Sequence, residues 1–218
     1  EGVKRDTIRV IHNILETERF EKAGADPEVR REVRERMKIP QDAIVVAGAG
    51  RDAPWKNFPY FLKTFKTVAE RRENVYGLLI GKGPLRHSGD ICEMGLAETV
   101  KLSGEVDDCA PLLAAADIFF LSSNAEGMPN ILLEAIAAKC AVVATDVGGV
   151  RDILGKKSGL DGTGAIVPIE SPEAVDAIEK LAQEPDLRAA LVEKAEKRLD
   201  LFKPEAVMPE YISVIEAK

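Results

Sequence analysis

The chain is poor in the residues on which many functions rest. Its 218 residues hold three cysteines, two histidines and one tryptophan. Cys92, Cys109 and Cys140 are odd in number, far apart and set in apolar or helical contexts. They read as free thiols in a reducing compartment, with no disulfide framework and no metal-binding spacing. His12 and His87 are distant from each other and outside any metal pattern, so each reads as a surface or satisfied histidine. Asp107-Asp108 is not a spaced metal pair, and Asp108 reads as the cap of the helix that follows. No Ser/His/Asp or Cys/His arrangement can be argued. No apolar run approaches the length of a membrane span and the first residues carry no signal-peptide pattern, so a soluble cytoplasmic domain is expected. Basic charge is short as well. The net charge is −7, with Lys and Arg spread along the chain, which leaves no footprint for nucleic acid. There is no internal repeat and no low-complexity segment. The opening Glu1-Gly2-Val3-Lys4-Arg5 is abrupt and lacks a start methionine, and reads as a piece of a longer protein.

Apolar residues make up 45% of the chain, enough to bury one sizeable core or two small ones. Short apolar runs of strand length stand at Ile8–Ile11, Ala43–Ala47, Val75–Ile80, Val100–Leu102, Asp117–Leu121, Ala141–Thr145 and Ala165–Val167. Between them lie helical patterns: Pro27–Met37, Trp55–Arg72, Leu85–Met94, Asp108–Ala115, Val150–Leu154 and a helix to Gln183 with Ser171 as N-cap and Pro172 at its first position. Two more helices start near Pro185 and Pro204, and Glu184–Arg198 reads as a solvated, mixed-charge face. Strands alternating with helices give an α/β fold, a Rossmann-like doubly wound parallel sheet in one domain. Ligands of such sheets bind beyond the carboxyl ends of the strands. Gly50-Arg51, Gly81-Lys82-Gly83, Gly104-Glu105, Glu126 and Gly148-Gly149 all lie just past a strand and are expected to converge on one crevice.

The stretch from Asp117 to Ala138 organises the rest. A strand enters a polar turn, Ser122 to Gly127, and the turn enters a helix with Pro129 at its first position. That helix is apolar except at Glu134, so it is expected to be buried, and a buried carboxylate needs a donor from the protein or a ligand hydroxyl. Glu126 stands just ahead of the helix start, where free N–H groups and the dipole favour an anion. A capping Glu126 with a structurally paired Glu134 accounts for the pair about equally well. Arg51 and Lys56 flank a strand–helix loop and suit a diphosphate clamp, and an ordinary solvated pair is the alternative. Gly81-Lys82-Gly83-Pro84 and Gly148-Gly149 read as close backbone approach to a ligand or as plain tight turns. Gly48-Ala49-Gly50-Arg51-Asp52-Ala53 matches a dinucleotide fingerprint, but the next strand ends in Gly81-Lys82-Gly83, where that fold wants an acidic residue for the ribose.

Glu126 and Glu134, with Gly-Met-Pro-Asn-Ile-Leu-Leu between them, resemble the E-x7-E motif of retaining GT-B glycosyltransferases, most closely family 4, formerly group 1. Gly50-Arg51 followed by Lys56-Asn57 is similar to that family's G-R loop. Gly81-Lys82-Gly83-Pro84 is similar to its G-x-G-P turn, and Ser103-Gly104-Glu105-Val106 to its nucleotide-base loop. Ala115–Ser123 and Ala141–Val150 resemble the strands on either side of the motif. From about Val10 onward the chain resembles the C-terminal, donor-binding half of such an enzyme. The resemblance implies that Glu126 holds donor-sugar hydroxyls and Glu134 the ribose hydroxyls. Arg51 and Lys56 would neutralise the diphosphate, and the backbone of Gly127, Met128, Pro129 and Asn130 would meet the distal phosphate. Gly50, Gly81 and Gly83 would line the nucleotide, and Glu105 and Val106 would meet the base. It implies no metal and no cofactor beyond a UDP- or GDP-sugar as donor substrate, and an acceptor that is a glycan or a lipid-linked sugar. Residues 1–218 would then be one nucleotide-sugar-binding domain, with a helix from about residue 204 directed to an N-terminal acceptor-binding partner domain. Peripheral membrane association would come through that other half. One departure is Ile11-His12-Asn13-Ile14, where the family often carries Pro-Asn-Gly. A non-catalytic nucleotide-sugar-binding or protein-interaction module, a GT-B-like epimerase and a dehydrogenase are the alternative functions.

Overall fold

A computed structural model describes residues 8–51, 53–155, 160 and 162–216. Its centre is a six-stranded, all-parallel sheet: β1 (Ile44–Ala49), β2 (Val75–Ile80), β3 (Val100–Leu102), β4 (Ile118–Leu121), β5 (Ala141–Thr145) and β6 (Ala165–Val167). The spatial order is β3-β2-β1-β4-β5-β6. Chain order reverses between β1 and β4, and the crevice above that reversal is where an open α/β sheet binds its ligand. The helices are α1 (Glu18–Ala25), α2 (Pro27–Arg36), α3 (Phe58–Arg71), α4 (Ser88–Glu93), α5 (Ala110–Ala114), α6 (Asn130–Ala137), α7 (Val150–Leu154), α8 (Glu173–Gln183), α9 (Pro185–Leu199) and α10 (Pro204–Glu216).

Strand periodicity sorts the side chains onto two faces. Val45, Ala47, Phe119, Leu121, Val142 and Ala144 point into the core shared with α1, α2, α5 and α6. Val46, Ile118, Phe120, Ala141 and Val143 point into the core shared with α3 and α8. The expected doubly wound fold is therefore the one observed. Gly48 of the dinucleotide-like stretch lies inside β1, and a Cβ there would come within 2.9 Å of the Phe61 ring. It is a packing glycine between strand and helix; Asp52 of that stretch lies outside the described residues, as do Glu1 to Arg5 of the abrupt start.

Several boundaries differ from the sequence expectation. Ile8–Ile11 is not a strand: it joins no sheet, and Ile8 and Val10 are exposed. Arg9 Nη1 instead donates to Ser213 Oγ on α10, 3.0 Å away. Helix α1 was not legible, because Phe20 is its one buried residue. Helix α3 starts at Phe58, after a 3-10 turn over Pro54–Lys56, because Asn57 sits at φ 49° and breaks the helical path. The Asn57 side chain accepts from Tyr60 N and caps the new start. Pro129 is extended at ψ 92° and precedes the helix, leaving Asn130 as its first residue. At the start of α8, Ser171 Oγ accepts from Glu173 N, while the helix itself begins at Glu173 and not Pro172. The segment Leu85–Met94 splits into a 3-10 turn and the short α4. Helix α9 is charged outside, yet it buries Leu191, Val192, Ala195 and Leu199 and is not a wholly solvated element.

At the amino ends of the strands one carboxylate fixes the layers. Asp117 accepts from Arg30 Nη2 at 2.7 Å, from Arg34 Nη2 at 2.9 Å and from Val45 N at 2.8 Å. Arg34 is fully buried and donates to the carbonyls of Ala115, Gln41 and Ala43. Removing one partner of such a network strands buried charge, so Asp117→Ala is expected to cost about 3–5 kcal/mol in urea unfolding. A loss as small as an exposed ion pair's would show that Asp117 does not bind the layers together.

Candidate functional site

The crevice at the carboxyl ends of β1 and β4 is built by loops that lean on one another. Gly50 N donates to Ile80 O at 3.0 Å, and Gly83 N donates to Gly50 O at 3.3 Å. Gly81 N donates to Gly104 O at 3.1 Å. Gly81 has φ 103°, and a Cβ there would stand 2.6 Å from Gly50 O, so the turn needs glycine for its backbone and for its neighbour. These contacts bring Gly50, Gly81, Gly83 and Gly104 to one edge of the crevice. Glu105 and Val106 continue from it on an exposed loop, where Glu105 pairs with Lys82 at 3.6 Å.

On the other side, the turn after β4 is braced from beneath. Thr145 Oγ1, fully buried, donates to Ser123 O at 2.6 Å. Gly149 N donates to Gly127 O at 2.6 Å. A Cβ on Gly148, at φ 46°, would fall 2.0 Å from Glu126 O. Close backbone approach is thus the role of Gly148-Gly149, and the backbone approached is the protein's own. Asn57 Nδ2 donates to Asn124 Oδ1 at 2.8 Å, and Asn124 N donates to Trp55 O at 2.7 Å, tying the turn to the loop after β1.

Across the gap Lys56 Nζ meets Glu126 Oε1 at 2.8 Å, and Ser123 Oγ donates to the same oxygen at 2.7 Å. Lys56 and Glu126 with Gly50, Arg51, Trp55, Ala49 and Ile131 line an open pocket of about 180 Å³. Arg51 is exposed and makes no hydrogen bond or ion pair among the described residues. An ammonium has three donors, so Lys56 can hold Glu126 and still face an anion. Gly127, Met128 and Asn130 surround the start of α6, and Pro129 is buried beneath it.

Glu134 lies one turn into α6 and does not line that pocket. Its Oε2 accepts from Cys109 Sγ at 3.6 Å, and Arg19 and Asp108 are the charged groups beside it. Burial raises the Glu134 carboxyl above its ordinary value; the thiol and Arg19 act in the opposite direction, and Asp108 adds to the rise. Burial, with Glu134 beside it, pushes the Cys109 thiol up to about 12, which keeps it a neutral donor. The protein therefore supplies Glu134 with only a weak donor, and the alternative of a structurally satisfied glutamate loses ground.

Four contributors stand in the sequence reading without any role at the site: Ser123, Asn57, Cys109 and Asn13. Asn13 Nδ2 donates to Asn130 Oδ1 at 2.8 Å and Asn13 N to Met128 Sδ at 3.3 Å, so the chain's entry segment rests on the start of α6. The serine and asparagine flank the Glu126 motif and the Arg51–Lys56 loop, the one cue that could have found them. His12 packs edge-on against Phe202, and His87 Nδ1 lies 2.7 Å from Asp90. Asp108 accepts from Ala110 N at 3.0 Å from one residue ahead of the N-cap of α5, which is Cys109 and not Asp108. Among the described residues no group of three or more His, Cys, Asp or Glu could hold a metal ion, and no helix is long and apolar enough to cross a membrane.

Comparison with known proteins gives the chain's family and fold. Residues 29–198 match the sequence profile of the family described as glycosyl transferases group 1. The chain is 32% identical to the lipopolysaccharide core biosynthesis glycosyltransferase LpsE of Rhizobium meliloti over its full length, covering 60% of that protein. It is 30% identical to the alpha-D-kanosaminyltransferase of Streptomyces kanamyceticus, over 78% of this chain and 45% of that one. The chain thus spans about half of the length of the curated relatives it matches. Among solved structures, Anabaena Alr3699/HepE in complex with UDP-glucose superimposes with a TM-score of 0.86 at 19% identity, over 100% of this chain and 59% of that one. A glycosyltransferase from Rickettsia africae gives 0.85 at 21% identity, over 97% and 57%. The fold is that of one half of a GT-B glycosyltransferase, and the chain belongs to the group 1 glycosyl transferases.

Proposed function

We propose that this chain is the donor-binding half of a retaining glycosyltransferase that moves a hexose from UDP- or GDP-sugar to a glycan or a lipid-linked acceptor. The observation that carries this reading is the Lys56–Glu126 pair spanning the switch point beside Arg51, which makes no hydrogen bond or ion pair among the described residues. Cations at that place neutralise a diphosphate as it departs with its negative charge, and the N–H groups of Gly127, Met128 and Asn130 offer further stabilisation at the helix start. Glu126, steadied on Oε1 by Lys56 and Ser123, keeps Oε2 for donor-sugar hydroxyls. Glu134 exchanges its thiol donor for the ribose hydroxyls, and the backbone of Glu105 and Val106 meets the base. In this reading no metal is required. Support comes from relatives named as glycosyltransferases and from a neighbour solved with UDP-glucose.

Residues 1–218 act as a single domain in this proposal. Acceptor binding, and any peripheral contact with the cytoplasmic face of a membrane, belongs to a partner domain of the same protein. Helix α10 is suited to meet that domain. Val207 is buried, whereas Tyr211, Ile212, Val214 and Ile215 are exposed along it. The 218 residues alone are expected to bind donor weakly and to transfer little sugar.

Calorimetric titration with UDP, GDP and ADP tests the reading. One diphosphate is expected to bind, and Glu134→Ala to weaken it by about ten- to a hundredfold, the value of hydrogen bonds to a charged group. Binding of none of them, by this chain and by the full-length protein, would favour the module without catalysis. A second prediction follows from the raised Glu134 carboxyl. Its folded-state pKa lies above the ordinary 4.5, so the folded protein holds that proton more tightly, and stability falls as pH climbs through the window above 4.5. Glu134→Gln is therefore expected to raise Tm at pH 7 and not at pH 4, while diphosphate affinity drops. Equal Tm changes at both pH values would show that burial of this carboxyl costs nothing.

A further inference from the structure

The donor-sugar pocket has an apolar side that the charged residues do not explain. Trp55 is the chain's only tryptophan and stands 48% exposed, although an indole of that size usually buries most of its surface. Its backbone is held. Asn124 N donates to Trp55 O at 2.7 Å, and Ser122 Oγ donates to the carbonyl of the next residue, Lys56, at 3.0 Å. Both bonds run to the turn that carries Glu126. An aromatic ring with few rotatable bonds, exposed on a fixed backbone, is a cheap contact surface in entropy terms.

The pocket it lines has one chemistry on each side. Arg51, Lys56 and Glu126 supply charge and hydrogen-bonding capacity, and Trp55, Ile131 and Ala49 supply an apolar wall. Its volume of about 180 Å³ falls below the roughly 300 Å³ at which pockets begin to take a drug-sized ligand. A molecule for it must be small, with hydroxyls at its edge and C–H groups on a face. A pyranose ring has that form, since its equatorial hydroxyls point outward and its axial hydrogens leave one face apolar.

We propose that Trp55 is the specificity-determining wall of the donor-sugar subsite, its indole covering the C–H face of the pyranose while Glu126 takes the hydroxyls. This rests on the donor-binding reading above. Trp55 contributes to the sugar and not to the nucleotide: the affinity gained when a sugar is added to the diphosphate depends on the indole, and the affinity of the diphosphate itself does not.

The test compares UDP with UDP-glucose, and GDP with GDP-mannose, on the wild type, Trp55→Ala and Trp55→Phe. Position 55 is half-exposed, so neither substitution empties the core. For the pair that binds, the ratio of diphosphate to nucleotide-sugar Kd is expected to fall about tenfold in Trp55→Ala and to recover largely in Trp55→Phe, as an aromatic contact requires. Diphosphate affinity should be unchanged in both. An unaltered ratio in Trp55→Ala overturns the proposal, and so does an equal loss for diphosphate and nucleotide sugar. With one tryptophan, all tryptophan emission reports this position, and the sugar-bearing ligand is expected to shield it from acrylamide beyond what the diphosphate does. If no nucleotide binds either this chain or the full-length protein, the donor-binding reading fails by itself. Titration with methyl α-D-glucopyranoside and methyl α-D-mannopyranoside then decides for Trp55: a saturable emission shift supports the wall, and an unchanged spectrum overturns it.

Discussion

A single carboxylate at the far end of the sheet sets the geometry on which the crevice depends. Asp117 takes the N–H of Val45 at the foot of β1 while standing itself at the foot of β4, so it joins the two strands where the topology reverses. Register follows from there, Val46 opposite Ile118 and Ala47 opposite Phe119. Their other ends deliver Arg51 and Lys56 on one strand and Glu126 on the other. Arg30 and Arg34 balance the charge and bring α2 with them. In a parallel sheet no hairpin turn sets alignment, so a pinned amino end is a direct way to aim the carboxyl ends.

The two glutamates of the motif occupy opposite electrostatic settings, and the difference suits different tasks. Glu126 is compensated by an ammonium and a hydroxyl, and its turn is braced by Thr145, Asn57 and the backbone under Gly148. Such a group is held in place before any ligand arrives. Glu134 is partly desolvated with a thiol for company, so its charged form has most to gain from a hydroxyl-bearing ligand. Preorganisation at one position and unsatisfied demand at the other sit eight residues apart on a single turn and helix.

Much of this was legible from residue order. The strands β1 to β6 are apolar runs, and burial on both faces of a parallel sheet follows from such runs without further information. The motif loops were placed correctly past strand ends because a parallel sheet leaves few other places for them. What failed were local rules overruled by tertiary contact. Ile8–Ile11 has strand-forming residues but no partner strand, and helix propensity around Trp55 loses to the left-handed Asn57, whose amide is needed by Asn124 and Glu170. Helix α1 buries one side chain and is held by its packing on α5 and α6, contacts no window of sequence can display. Ser123 and Cys109 are ordinary residues whose importance comes only from the atom that each one faces.

The contrast between the two rims of the crevice bears on how such a protein can diversify. At Gly148 the next backbone is so near that any side chain would collide with the turn carrying Glu126, and substitutions there meet a steep barrier. Glu105 and Val106 are exposed on the opposite rim, tied by one solvent-facing ion pair. On the donor-binding reading proposed above, variation can accumulate at that rim without disturbing the end assigned to the diphosphate, so lineages that keep one chemistry are free to drift in the nucleobase they accept.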